Sequence, residues 1–536
     1  MKYPIGLSII LNALAAISIL SGCSDYLDRE YDSFIDNEMT FTSYERTSKF
    51  LVNAYRYLPD GFNRIGSEAM LDAATDDAEH ANASCNIQHF NTGAWNSRSN
   101  PDDLWNKYYA GIRIANEFIE NVDRVNLDKY RLDPDNQNEY QNRLNDLKTW
   151  KYEARFLRAF FHFELVKRFG PVPVITSTLS VNADYSETPR PSMDDCISFI
   201  SSECDKVAEV LDLTPGRGID SDLGRATKGA ALALKSRVLL YAASPLYLDW
   251  QNFSESDLPS DMEKWKAAQA AKDVIDLGIY SLYGSYATLF KNNFQNSEFI
   301  LMRRYGNSSD FEKYNFPVSY GGVGGVNPSL NLVDSYEMKD GSYFSWENEE
   351  NAVRPQFYRD DRLNATILLN DSVWKSTAVE NWDGGKDGLG VTNATKTGFY
   401  LKKYLNEDVN IQTGGGSQGH IWPLFRLAEI YLNYAEALNE YDPENTDIAE
   451  YINRVRNRAG QPNLPSGLTQ DEMRERIRRE RRVELAFEEH RSWDVRRWKI
   501  AQETLGGDLL GLEITRKNQA RRAVTRNSVI PVNEVP

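Results

Sequence analysis

The sequence predicts a mainly α-helical protein in which tetratricopeptide-like helix pairs form a scaffold carrying a loop-rich, irregular α+β ligand-binding module. Three observations carry that expectation. Apolar residues recur at helical spacings in successive segments between residues 41 and 299, and again from 426 onward. Several of these segments close on Gly or Pro, the residues that stop helices. Fourteen of the 33 glycines fall between Gly321 and Gly419, in clusters such as GGVGGVNP and WDGGKDGLG, which reads as loops between short β-prone pieces. A hydrophobic content of 41%, with 12% aromatics, is ample for a folded core.

In chain order, residues 1–22 read as a lipoprotein signal peptide. Lys2 supplies the positive start, and Ile5 to Leu20 is an apolar run too short for a comfortable membrane span. The run ends in Leu20-Ser21-Gly22-Cys23, small residues before a Cys, so Cys23 is the expected site of lipid attachment. Several acyl chains at about 0.8 kcal/mol per buried methylene hold a protein stably on a membrane. Residues 23–40 are polar and acidic, a lipidated tether. Ser24 stands where inner-membrane retention would call for Asp.

Residues 41–299 read as a helical, repeat-like region. Phe50, Leu51, Ala54, Tyr55 and Leu58 share a helical face before Pro59. Residues 60–104 are turn-rich and poor in aliphatics, which predicts a long exposed loop around Trp95. Helices are expected at 104–122, 144–169, 193–211, 226–243 and 263–278. The second of these carries Ala154, Leu157, Phe161 and Leu165 on one face and Phe156, Phe160 and Phe163 on the next, so it is buried on two sides and stopped by Gly170-Pro171. Residues 300–425 form the loop-rich module, and 426–536 complete the scaffold. There, helices run from Leu427 to Asp442-Pro443 and from Ile448 to Gly460.

The densest charged stretch is Ile477–Lys499. Thr469 and Glu472 form a capping box, and no Gly or Pro follows before Lys499, so one helix is expected across it. Val483, Phe487, His490, Asp494 and Trp498 would then share a stripe, and Glu488–Arg491 and Asp494–Arg497 would be neighbours. Glu484, Glu488, Arg491 and Asp494 are read as a structural network of a half-buried helix. Six arginines between Arg474 and Arg482 are interrupted by glutamates, and the chain carries a net charge of −17, so no nucleic-acid partner is expected.

E-R-R-x-E-L-A-F-E-x-x-R-x-x-D-x-R-R-W from Glu480 to Trp498 resembles the C-terminal signature of the SusD/RagB family of nutrient-binding outer-membrane lipoproteins. EARFLRAFFHFELVKRFGPVPV, RDDR at 359–362 and PLFRLAEIYLNYAEALN resemble the family in the same order along the chain. The resemblance implies an outer-membrane protein anchored through Cys23 and facing outward. It would capture an oligosaccharide and deliver it to a SusC-like TonB-dependent β-barrel transporter. It also implies a ligand site on loops carried by the scaffold, with oligopeptides as the alternative ligand.

Exposed aromatics in polar loops fit that site. An aromatic face packs against the C–H face of a sugar while amides, carboxylates and guanidiniums meet its hydroxyls. The candidates are Trp95, Asn96, Arg98, Asp77, Tyr320 and Trp346, with Trp250, Trp374 and Trp382 in similar loop settings. Each could equally be a loop anchored onto the scaffold. No catalytic residue is expected. Gly415-Gly416-Ser417-Gln418-Gly419 fits G-x-S-x-G but lacks the strand–turn–helix context of a nucleophile. The carboxylate pairs Asp76-Asp77, Asp360-Asp361 and Glu488-Glu489 do not mark a general acid, so a lipid-anchored glycoside hydrolase is the weaker reading. Arg359 and Arg362 flank the second pair and would keep it ionised. The five histidines form no metal set, and no cofactor is expected; residues 76–80 are the one stretch with ligand types for a calcium ion. Cys85, Cys196 and Cys204 need no disulfide, since the two close ones lie too far apart along one helix.

Overall fold

The computed structural model describes residues 37–526 except 181, 183, 187, 216–221, 248–260, 292–293, 354 and 516–519. The signal peptide, Cys23, nearly all of the tether and Trp250 lie outside the described residues.

Among the described residues nine helices make the scaffold: α1 Tyr44–Tyr55, α2 Trp105–Asn121, α3 Gln137–Phe169, α4 Met193–Ala208, α5 Lys228–Ala242, α6 Asp261–Ile275, α7 Leu427–Tyr441, α8 Asp447–Arg458 and α9 Gln470–Glu484. Each packs on the next in chain order, and α7 receives both α8 and α9. α6 and α7 pack directly although about 150 residues separate them. The loop-rich module is therefore an insertion between two consecutive members of a helical array.

The helix ends follow the sequence. α4 and α9 each carry the capping box, Ser192 with Asp195 and Thr469 with Glu472. α3 stops at Gly170, whose φ of +70° is the left-handed conformation glycine tolerates. As its two aromatic faces require, α3 is buried from Phe156 to Val166 on every side. Gly111 of α2 lets it approach that aromatic surface, because a Cβ there would meet the Phe161 ring at 2.7 Å. All three described cysteines are buried and free.

The module is closed at its neck by an antiparallel pair, β2 Phe299–Arg304 with β4 Ile421–Arg426, in which Phe299 faces Arg426 and Arg304 faces Ile421. A second ribbon joins β1 Ala78–His80 to β3 Val326–Pro328. β5 Leu509–Ile514 and β6 Ala520–Arg526 form a hairpin whose Leu510 and Leu512 amides bond to Asn331 and Thr397 of the module.

Two expectations fail here. The segment 60–104 is an exposed loop only in part: 92–94 and 96–99 around Trp95 are exposed, but residues 69–81 are buried and include a 3₁₀ turn, Leu71–Ala74, besides β1. Asp76 and Asp77 are sequestered because they meet Arg482 and Arg491 from the far end of the chain, which composition does not reveal. The second failure is the single helix to Lys499. α9 ends at Glu484 and a separate helix, α10 Arg491–Arg497, follows a turn with Phe487 and Glu489 at φ of +60°. In that turn the carbonyls of Glu484, Ala486 and Phe487 accept hydrogen bonds from Arg426, Lys403 and Tyr404. Side chains of the module and β4 take the acceptors that a continuous helix would need.

Candidate functional site

The β1–β3 ribbon organises the loops that hold the candidate residues. The chain leaves β1 toward Trp95 at the end where it enters β3 from Tyr320, and the Ala81 amide bonds to the Gly325 carbonyl there. Trp95 and Tyr320 thus belong to segments emerging from one end of the ribbon. Asp77 and the segment leading to Trp346 lie at the other end, where the Ser329 amide bonds to the Asp77 carbonyl at 2.8 Å.

Each ring has its own anchor. Trp95 is half-buried, its ring centroid 5.4 Å from that of Phe90. The following turn is closed by Asn96, whose Oδ1 accepts from the amides of Arg98 at 2.9 Å and Ser99 at 3.1 Å. Asn96 therefore shapes the turn, while Arg98 is exposed on it. The Tyr320 hydroxyl lies 2.7 Å from the Thr377 hydroxyl and 3.1 Å from the Trp374 carbonyl oxygen. Trp346 donates its indole N–H to both oxygens of Asp334, at 3.2 and 3.0 Å. Tyr320 and Trp346 are both half-buried, so a ring fixed at its polar atom still presents part of its surface to solvent. Neither anchor carries a sequence signal: Thr377 and Asp334 look like ordinary loop and helix-end residues.

Four further sequence-selected residues, Trp374, Asp77, Asp76 and Arg359, are buried. Trp374 is wholly buried against Phe316 and is a loop anchor. Asp77, at 1% exposure, gives Oδ1 to Arg482 at 2.7 Å and lies away from the Trp95 turn. The neighbouring Asp76 receives Arg491 through two bonds of 2.8 Å. Guanidinium groups thus stand where a calcium ion bound by Asp76 and Asp77 would be. Arg359 does not pair with the adjacent aspartates; it donates to the carbonyls of Val333, Pro355 and Tyr336.

The structural network is larger than the sequence showed. Glu484 accepts from buried Arg362 and Arg426 and from Arg458, whose side chain is 4% exposed. Burial by itself would raise its pKa, but the three guanidiniums override that and drive it far below the usual carboxylate range. Arg426 also reaches Glu298 at 2.7 Å and Glu488 at 2.7 and 2.8 Å. Lys403 donates to Glu488 at 2.7 Å, and burial lowers its pKa to about 8. Asp494 pairs with Arg497 at 2.7 Å as expected, but Glu488 does not pair with Arg491, because the chain between them is not helical. Among the carboxylate pairs, Asp360 binds Arg362 at 2.7 Å and Glu489 binds Arg64 at 2.9 Å, while exposed Asp361 meets Lys339 at 3.0 Å. His162 is a core residue, with Nδ1 2.8 Å from the Arg158 carbonyl oxygen and Nε2 accepting from the Ile175 amide. Arg362, Arg426 and Arg458 were missed as network members. All three lie in family-like segments, RDDR, PLFRLAE and the INRVRNRAG that follows at 452–460, which was the available signal.

Comparison with known proteins fits this architecture. Residues 288–532 match the profile described as SusD family, and residues 25–240 match one described as starch-binding associating with outer membrane. SusD-like protein P25 of Formosa agariphila is 26% identical over 523 residues, covering 89% of this chain and 87% of its own. SusD-like protein P2 of the same organism is 26% identical over 444 residues, 76% of this chain and 74% of its own. A SusD-like protein of Bacteroides fragilis superposes with a TM-score of 0.77 at 26% identity, covering 94% of this chain and 95% of the other. A laminarin-binding SusD-like protein shares the fold, with a TM-score of 0.62 at 23% identity over 86% and 93% of the two chains. Two non-overlapping profiles of one family, spanning most of the chain in the family's order, and a shared fold place it: the chain belongs to the SusD/RagB family.

Proposed function

We propose that this protein is a non-catalytic glycan-capture lipoprotein of the outer membrane, anchored through Cys23 and facing outward. It takes an oligosaccharide on its loop aromatics and passes it to a SusC-like TonB-dependent β-barrel transporter. The observation that carries the reading is the pair of anchored rings, Tyr320 held at its hydroxyl and Trp346 held by Asp334. A ring whose polar atom is already satisfied loses little freedom when a sugar stacks on it. The laminarin-binding relative and a second Bacteroides fragilis relative described as a SusD-like carbohydrate-binding protein support the ligand class.

The test is calorimetry of the soluble protein without Cys23 against maltose-, cellobiose- and laminaribiose-type oligosaccharides and a set of oligopeptides, with chromatography of the products. Binding of an oligosaccharide without turnover is expected. Cleavage products would make the protein a hydrolase, and binding of peptides alone would change the ligand class. The anchor is tested separately: Cys23→Ser is expected to move the protein from the detergent phase to the aqueous phase and abolish acyl labelling. Unchanged partitioning would overturn it.

A further inference from the structure

A cavity of about 360 Å³ opens where residues 290–291, 404–408 and 418–420 meet, and it is distinct from the anchored rings. Its walls are the rings of Phe290 and Tyr404 and the polar groups of Asn406, Asp408, Gln418 and His420.

The walls are cross-linked. Asn406 donates its amide to Gln418 Oε1 across the opening, at 2.6 Å. Behind them, fully buried Glu312 holds both sides: its Oε1 lies 3.0 Å from His420 Nε2 and accepts from the Asn406 amide at 3.4 Å. Asn406 Oδ1 accepts from the Asp408 amide at 3.0 Å, which fixes the turn that carries the acidic side chains. Tyr404 is a buried tyrosine at φ of +70°, a strained conformation for a residue with a Cβ. Its ring stands edge-on to Phe290 at 5.1 Å. The surrounding aromatic rings and the Phe487 carbonyl hold this strain in place beside the preorganised polar cavity.

The lining also says what fits. The volume is at the small end for ligand pockets, room for a one- or two-ring molecule. Aromatic walls joined to amides and a carboxylate suit a body with C–H faces and several hydroxyls. Glu407 and Asp408 at the mouth, opposed by Lys291, which lies 3.8 Å from Glu407, disfavour an anionic guest. The cavity is connected to the Tyr320 ring through one loop. Gln412, four residues beyond Asp408, donates to the Ser319 carbonyl at 2.9 Å. Four residues span at most about 14 Å.

We infer that this cavity is an end-recognition pocket for a terminal neutral sugar unit of the oligosaccharide whose chain crosses Tyr320, a reading that rests on the glycan-capture function proposed above. Asp408 and Gln418 accept and donate to its hydroxyls, and sugars carrying a carboxylate are rejected.

The experiment is saturation-transfer NMR of the soluble protein with glucose, galactose, mannose and glucuronate, alongside calorimetry with whichever oligosaccharide the wild type binds. The variants are Gln418→Ala with Asp408→Ala, and separately Tyr320→Ala. At least one neutral monosaccharide is expected to give a signal that the double variant loses and Tyr320→Ala keeps, with none from glucuronate. Oligosaccharide affinity should fall about 30-fold to 2,000-fold in the double variant, the loss of one neutral and one charge-assisted hydrogen bond. Melting must stay at the wild-type temperature; Asp408 is exposed and Gln418 half-buried, so neither side chain belongs to the core. Monosaccharide signals that survive the double variant, their absence for all three neutral sugars, or equal signals from glucuronate would overturn the pocket. Oligosaccharide binding that the double variant leaves intact defeats the pocket alone, whereas a wild type that binds no oligosaccharide defeats the function on which it rests.

Discussion

Arg426→Ala is expected to destabilise the protein by about 5 kcal/mol, the upper end of the range for removing one partner of a buried ion pair. Arg426 is 1% exposed and is the shared partner of Glu298, Glu484 and Glu488. Its loss leaves three buried carboxylates with fewer cations, and it frees the Glu484 carbonyl that helps end α9. The control is Arg454→Ala, whose partner Glu450 is half exposed; a surface pair of that kind contributes at most about 1 kcal/mol. Urea unfolding followed by circular dichroism distinguishes the two. Equal midpoints would mean the network does not hold the scaffold to the module. Other buried ion pairs of the scaffold set the acid limb. Burial would raise the carboxyls of Glu164 and Glu436, but Lys167 with Arg168, and Arg497 with Arg481, hold each at about 2 instead of 4.5. Between those values the unfolded chain binds more protons than the folded one. This stabilisation is therefore complete above about pH 5 and is lost as the pH falls toward 2.

Elements whose causes are local were legible in the sequence. The C-terminal end of α3 follows from Gly170, and the N-terminal end of α9 from the Thr469–Glu472 box. What was not legible depends on partners far away in the chain. The run Leu485–His490 has the composition of a helix, and only Lys403, Tyr404 and Arg426 divert its carbonyls. Residues 69–81 look like a solvated loop until Arg482 and Arg491, about 400 residues on, neutralise Asp76 and Asp77. At the candidate site the aromatics were visible, but their anchors were not. Trp374 and Tyr320 lie in equally polar loops, yet one is wholly buried and the other is held at a partly open surface by the first one's own carbonyl.

That distinction makes the loop rings the sharpest test of function. Tyr320→Ala and Trp346→Ala are each expected to weaken oligosaccharide binding by about 5- to 150-fold, the equivalent of roughly 1 to 3 kcal/mol for one stacked ring. Neither should lower the unfolding midpoint as Arg426→Ala does, because both rings are only half-buried. Trp95→Ala should act in the same direction if the chain continues from Tyr320 over the segment that emerges at the same end of the β1–β3 ribbon. Asn96→Ala should weaken binding by opening the turn that carries Arg98, and Arg98→Ala should do so without disturbing it. Asp334→Ala separates anchoring from stacking. It leaves the indole in place but removes the acceptor for its N–H, so a loss smaller than that of Trp346→Ala is expected, appearing mainly as a less favourable binding entropy. Calorimetry at one temperature, with melting curves for every variant, reads all of these together. If an oligosaccharide binds and none of Trp95→Ala, Tyr320→Ala or Trp346→Ala changes its affinity, the anchored rings are not the sugar platform. If Asp334→Ala equals Trp346→Ala with the fold intact, the carboxylate itself is the ligand contact and the ring only its support.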